Sequence, residues 1–137
     1  MSKTKRFFDK YKDYFSYSHS FSEVNIKISY VIALFAANKV HSEYKSNSSI
    51  LNNDELTILG NEIKAIKTNF SNIEKPSIEE FNIFIENMFA NVDEEDREGE
   101  VTSKTAKSFK ILVDLIEVFT FYGEIPLEWA EKKKYCK

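Results

Sequence analysis

The sequence predicts an all-α protein of two tandem three-helix bundles, packed as one compact helical domain. Three observations predict it. Apolar side chains recur at three- and four-residue spacing in six successive stretches, which places them on single helix faces. Only three glycines and two prolines occur in 137 residues, most of them where helices start or stop. No stretch alternates apolar and polar residues with the period of a strand.

The first helix is expected over Thr4–Ser18, where Phe7, Tyr11, Tyr14, Phe15 and Ser18 share a face. The second is expected over Glu23–Lys45, opened by Ser20 and Glu23 at capping-box spacing. Its centre, Ile28–Ala37, is apolar around most of its circumference, so it must be covered on more than one side. The polar stretch Lys45–Asn53 reads as a loop. The third helix, Asp54–Phe70, carries a stripe of Leu56, Leu59, Ile63, Ile66 and Phe70.

Pro76-Ser77 opens the fourth helix, with Ser77 and Glu80 again at capping-box spacing. Phe81, Phe84, Ile85, Met88 and Val92 form its stripe, and Gly99 is its expected stop. The fifth, Thr102–Tyr122, is apolar on two faces and should be central, with Gly123 ending it. The sixth begins at Ile125-Pro126-Leu127 and carries Trp129. The join between halves falls near Ser71–Pro76, which sets bundles at 1–73 and 74–137.

Composition narrows function. Apolar residues at 42% and aromatics at 15% supply a core of large rings. A net charge of -3 gives no basic field for nucleic acid. Lysines gather at both ends, including Lys3, Lys5, Lys132, Lys133 and Lys134, and read as solvated helix ends. One cysteine, Cys136, leaves no disulfide within the chain and points to a reducing compartment. The longest apolar run, Val31–Ala37, is too short to insert into a membrane, and the first residues do not form a signal peptide. A cytoplasmic protein follows, with any membrane role exercised through partners.

Catalytic chemistry is not indicated. His19 and His41 stand far apart without ligand spacing, and no His-Glu-x-x-His or Cys-x-x-Cys occurs, so no metal or other cofactor is expected. The acidic run Asp93–Glu100 fails as a calcium loop: with Gly99 at loop position six, position twelve is Thr105, where a bidentate Glu is required. No phosphate-cradling glycine loop occurs. A hydrolase using the acidic run lacks an indicated pocket. The expected role is therefore a protein-binding surface rather than an enzyme.

Met88 to Lys137 carries a specific pattern. Met88-Phe89-Ala90 leads into Val92-Asp93-Glu94-Glu95-Asp96-Arg97-Glu98-Gly99, then Ala106-Lys107-Ser108-Phe109, Phe121-Tyr122-Gly123-Glu124 and Lys134-Tyr135-Cys136-Lys137. This succession resembles the N-terminal domain of the Vta-one (LYST-interacting protein five) family. The first half resembles it through Tyr30, Leu34 and Ala36, with Ile26 where the family has proline. The resemblance implies two tandem MIT-type (microtubule-interacting and transport) bundles and an adaptor role in the ESCRT pathway of multivesicular body sorting. It implies binding of C-terminal helices of ESCRT-III proteins and a peripheral place on endosomes. Stimulation of the Vps-four AAA ATPase belongs, in the family, to a C-terminal domain with no counterpart in these residues.

A groove between the second and third helices is the expected first site, by periodicity and by the fold analogy. Tyr30, Leu34, Ala37 and Asn38 would form one wall, and Leu59, Glu62 and Ile66 the other, with Glu62 pairing to a partner arginine. Phe84, Phe89 and Glu117 would mark a second surface. Asp96, Arg97 and Gly99 read as structural. The alternative is a helical dimerisation or scaffolding module without ESCRT partners.

Overall fold

The computed structural model describes residues 6–97 and 103–136, with side chains for fewer at the margins of the gap and the C-terminus. Six α-helices account for most of them: α1 Phe7–Phe21, α2 Ile26–Ser46, α3 Asn53–Asn69, α4 Ile78–Arg97, α5 Ser103–Ile116 and α6 Leu127–Cys136. Two short 3-10 segments, Ser48–Ile50 and Glu117–Phe121, complete the order. No strand occurs among the described residues, and no helix there is long and apolar enough to cross a membrane. The chain divides into two compact units, Met1–Lys75 and Pro76–Lys137, each holding three of the helices.

In the first unit, α1 buries Phe8, Tyr11, Tyr14, Phe15 and Ser18 against α2. Phe8 takes the inward position expected for Phe7, which is only half-buried. From α2, Ile28, Val31, Ile32, Ala33, Phe35, Ala36, Ala37 and Val40 are buried, so the helix is covered on two sides as its all-round apolar sequence requires. The Tyr14 and Phe35 rings meet edge-on at 5.1 Å between centroids. Small residues let α1 and α2 close up: Ser18 Oγ donates to the Ser29 carbonyl at 2.7 Å, and Ser29 Oγ donates to the Ser18 carbonyl at 2.6 Å.

The start of α2 differs from expectation. Asn25, not Ser20, is its cap: Asn25 adopts an extended conformation and its Oδ1 accepts from the Ile28 N–H. Ser20 instead lies in the last turn of α1, which continues to Phe21. The third helix is held by a full capping box, with Asn52 Oδ1 accepting from the Glu55 N–H at 2.8 Å and Glu55 Oε1 accepting from the Asn52 N–H at 2.9 Å. Leu59, Ile66 and Phe70 bury its inner face.

In the second unit, the expected Ser77–Glu80 capping box is present, each reciprocal bond measuring 3.1 Å. Phe81, Ile85 and Val92 of α4 meet Leu112, Leu115 and Ile116 of α5 in the core. The fifth helix stops four turns in, and its expected last turn is the 3-10 segment. Tighter winding there brings both Val118 and Phe119 fully inside, with Phe119 edge-on to Phe81 at 4.8 Å. Gly123, at φ 137°, turns the chain where a side chain would be strained. Pro126 sits one residue before α6, its carbonyl accepting from the Trp129 and Ala130 N–H groups. Trp129 is fully buried, and its indole N–H donates to Asn82 Oδ1 of α4 at 2.6 Å. The Gly99 stop lies outside the described residues, as do the side chains of Asp96 and Arg97.

Candidate protein-binding groove

The antiparallel seam between α2 and α3 opens on one side into a groove of about 440 Å³. On α2, Tyr30, Leu34, Ala37, Asn38 and His41 follow one another at helical spacing and form one wall. On α3 and just beyond it, Ile63, Ile66, Lys67, Phe70 and Ser71 form the other. The floor is apolar: Ala37, Ile66 and Phe70 are buried. Tyr30, Leu34 and Ile63 are half-buried, presenting apolar surface without being sealed in. Asn38, His41, Lys67 and Ser71 are exposed and make a polar rim. One end is closed by Tyr30 and Phe70, whose rings stack at 4.9 Å and 21°.

Five of the residues expected from sequence therefore line this groove: Tyr30, Leu34, Ala37, Asn38 and Ile66. Leu59 is instead part of the sealed core, only 5% exposed. Glu62 faces the other side of α3. It lines a separate cavity of about 280 Å³ together with His19 of α1, and its Oε1 lies 3.1 Å from His19 Nε2. The sequence places Ile63 and Phe70 on the α3 stripe but not on the groove wall, and it assigns His41, Lys67 and Ser71 no place there. Ile63, Lys67 and Phe70 stand three or four places from Ile66 or from each other, so extending the Ile66 face by one turn either way would have found them.

In the second unit, the residues expected to form a surface are already engaged. Phe89 packs edge-on against Trp129 at 5.9 Å, and the Lys132 ammonium stands 4.9 Å from its ring centre. Glu117 is ion-paired with Lys133. Phe84 is half-buried on α4 and lines none of the grooves described here. A smaller cleft of about 230 Å³ lies between the start of α4 and the start of α6, floored by Ile78, Phe119 and Pro126 and bordered by Glu79, Asn82 and Glu128.

The chemistry of the α2–α3 groove is that of recognition. It offers apolar floor, a polar rim and two helical walls. No three metal-ligating side chains converge among the described residues. A Vta1-like family model matches residues 10–137, nearly the whole chain. The chain belongs to the Vta1-like family. A comparison with curated proteins gave no match. Vta1-like proteins are adaptors associated with the ESCRT and multivesicular-body pathway, and the all-helical architecture accords with that class. The Vta1-like match spans both units, so it covers most of α1, the α2–α3 groove and the motif-rich second half.

Proposed function

We propose that this chain is a non-enzymatic ESCRT-pathway adaptor whose α2–α3 groove holds helical C-terminal segments of ESCRT-III proteins, and that its two units are MIT-type bundles. The observation that carries the reading is the groove itself in a Vta1-like chain. Its apolar floor at Ala37, Ile66 and Phe70 is open between two helical walls. An amphipathic helix lays anchors at i, i+3, i+4 and i+7 into such a trough, while its polar face stays wet. Ala37 leaves room on the α2 wall for a leucine, and half-buried Leu34 would lose its remaining exposure to the incoming helix. Endosomal placement would follow from these partners.

Calorimetric titration with peptides from the C-terminal tails of ESCRT-III proteins tests the reading. Binding to one or more tails with a Kd on the order of micromolar is expected, as for helix-in-groove contacts of small area. Leu34→Asp should weaken that binding at least tenfold while leaving the helical circular dichroism unchanged, since Leu34 lies on the open side of α2. A folded protein that binds no tail would sink the adaptor reading. Self-association under those conditions would favour a scaffolding module instead.

A further inference from the structure

The groove is one-signed. Among the described residues, its charged rim consists of Lys67, with His41 as a further polar donor, and no carboxylate lines it. Lys67 is exposed and makes no ion pair among the described residues. The acids of the two walls are turned elsewhere. Glu62 is beside His19 and Glu55 is clamped by Arg6, so both serve the α1 side of the bundle. Glu43 stands two residues after His41, which puts it on the opposite face of α2 from the groove. Asp54 lies nine residues before Ile63, about 13 Å along the helix axis at 1.5 Å per residue.

We infer that the helix seated in the α2–α3 groove carries a carboxylate beside its apolar anchors, held by Lys67, and is not recognised through a basic residue. This rests on the adaptor reading above. A basic side chain brought to this rim would meet Lys67 with no carboxylate of the two walls to offset the repulsion, whereas a carboxylate would pair with it. Because Lys67 adjoins Phe70 and Ile63, the carboxylate falls one helical turn from the anchors over the apolar floor.

The test uses the whole chain and the ESCRT-III tail peptide that binds it most tightly. Two peptide variants are compared by fluorescence anisotropy, one with its Asp and Glu residues changed to Asn and Gln, the other with its Lys and Arg changed to Gln. The first should bind about 2- to 5-fold more weakly, the scale of an exposed ion pair, and the second should bind as well as the parent or better. Lys67→Glu should weaken the parent peptide about tenfold, and a peptide with Lys in place of its acidic residues should recover that loss. If removing the basic residues costs the affinity, or if Lys67→Glu leaves binding unchanged or tighter, the charge assignment is wrong while the adaptor reading stands. If no tail binds the folded chain at all, the adaptor reading fails and this inference with it.

Discussion

Arg6 and Glu55 form a two-pronged ion pair that ties the start of α1 to the start of α3. Arg6 Nε donates to Glu55 Oε2 at 2.9 Å and Nη2 donates to Oε1 at 2.7 Å. The same Glu55 carboxylate closes the α3 capping box, so one nearly buried side chain both starts a helix and docks another. Glu55→Ala removes the N3 half of the capping box and should cost about 0.5–1.5 kcal/mol from that hydrogen bond alone, read as a lowered midpoint in urea.

The pH dependence of that pair has a definite sign. Hydrogen bonding by Arg6 holds the Glu55 carboxyl below its usual range, against the opposing effect of burial. The unfolded chain therefore takes up this proton first as pH falls. The contribution to stability is present above the ordinary carboxylate pKa and is lost as pH falls through the lowered folded value. Glu55→Gln should flatten the acid limb of the stability profile relative to the parent. An unchanged limb would show that the pair does not couple to folding.

Replacing Asn82 isolates the buried indole. Asn82 accepts from Trp129 Nε1 and is oriented by its own donation to Glu86 Oε1 at 2.9 Å. Asn82→Ala strands the indole N–H inside the second unit and should destabilise it by about 1–3 kcal/mol. Asn82→Asp keeps an acceptor and should cost less. Thermal melts of the two variants make the comparison.

The Ser18–Ser29 contact tests how close α1 and α2 must come. Both residues are buried, at 3% and 1% exposure. Ser29→Ala leaves Ser18 Oγ its bond to the Ser29 backbone carbonyl and should cost about 1 kcal/mol. Ser29→Val forces branched volume into the closed seam and should cost about 1–3 kcal/mol. Equal midpoints for the two variants would show that the seam has slack.

Tyr122 should be a late-titrating tyrosine. Its hydroxyl donates to the Pro76 carbonyl at 2.6 Å, and burial, with the charge of Glu80, pushes its pKa up to about 12. The unfolded chain gives up this proton nearer 10. Stability from Tyr122 is thus complete below pH 10 and is lost as pH rises through the folded value. Burial also raises the Tyr11 hydroxyl, so absorbance titration at alkaline pH should show a late phase above the ordinary tyrosine range, and Tyr122→Phe should reduce its amplitude.

The helices were legible because each buries one periodic stripe, and the Ser77–Glu80 cap because its reciprocal bonds need only local spacing. Ser20 and Glu23 have that same spacing without the cap, because α1 runs on to Phe21 and Asn25 starts α2. Spacing names possible caps, and packing of neighbouring turns selects among them. The 3-10 turn at Glu117–Phe121 had no signature for a similar reason: a run apolar on two faces fits either winding. For the groove, the α2 wall followed from periodicity together with the fold analogy. The direction of Glu62 did not, since it depends on His19, 43 residues away.

The chain has a single tryptophan, and it lies wholly within the second unit. Light absorbed by that indole samples the surroundings of α4 and α6, while the far-ultraviolet dichroism sums over all six helices. A single heated sample watched both ways thus separates the halves without cutting the chain. Coincident curves would mean that α1–α3 and α4–α6 melt as one cooperative body. A fluorescence change that precedes or trails the dichroism would give each half its own melting temperature.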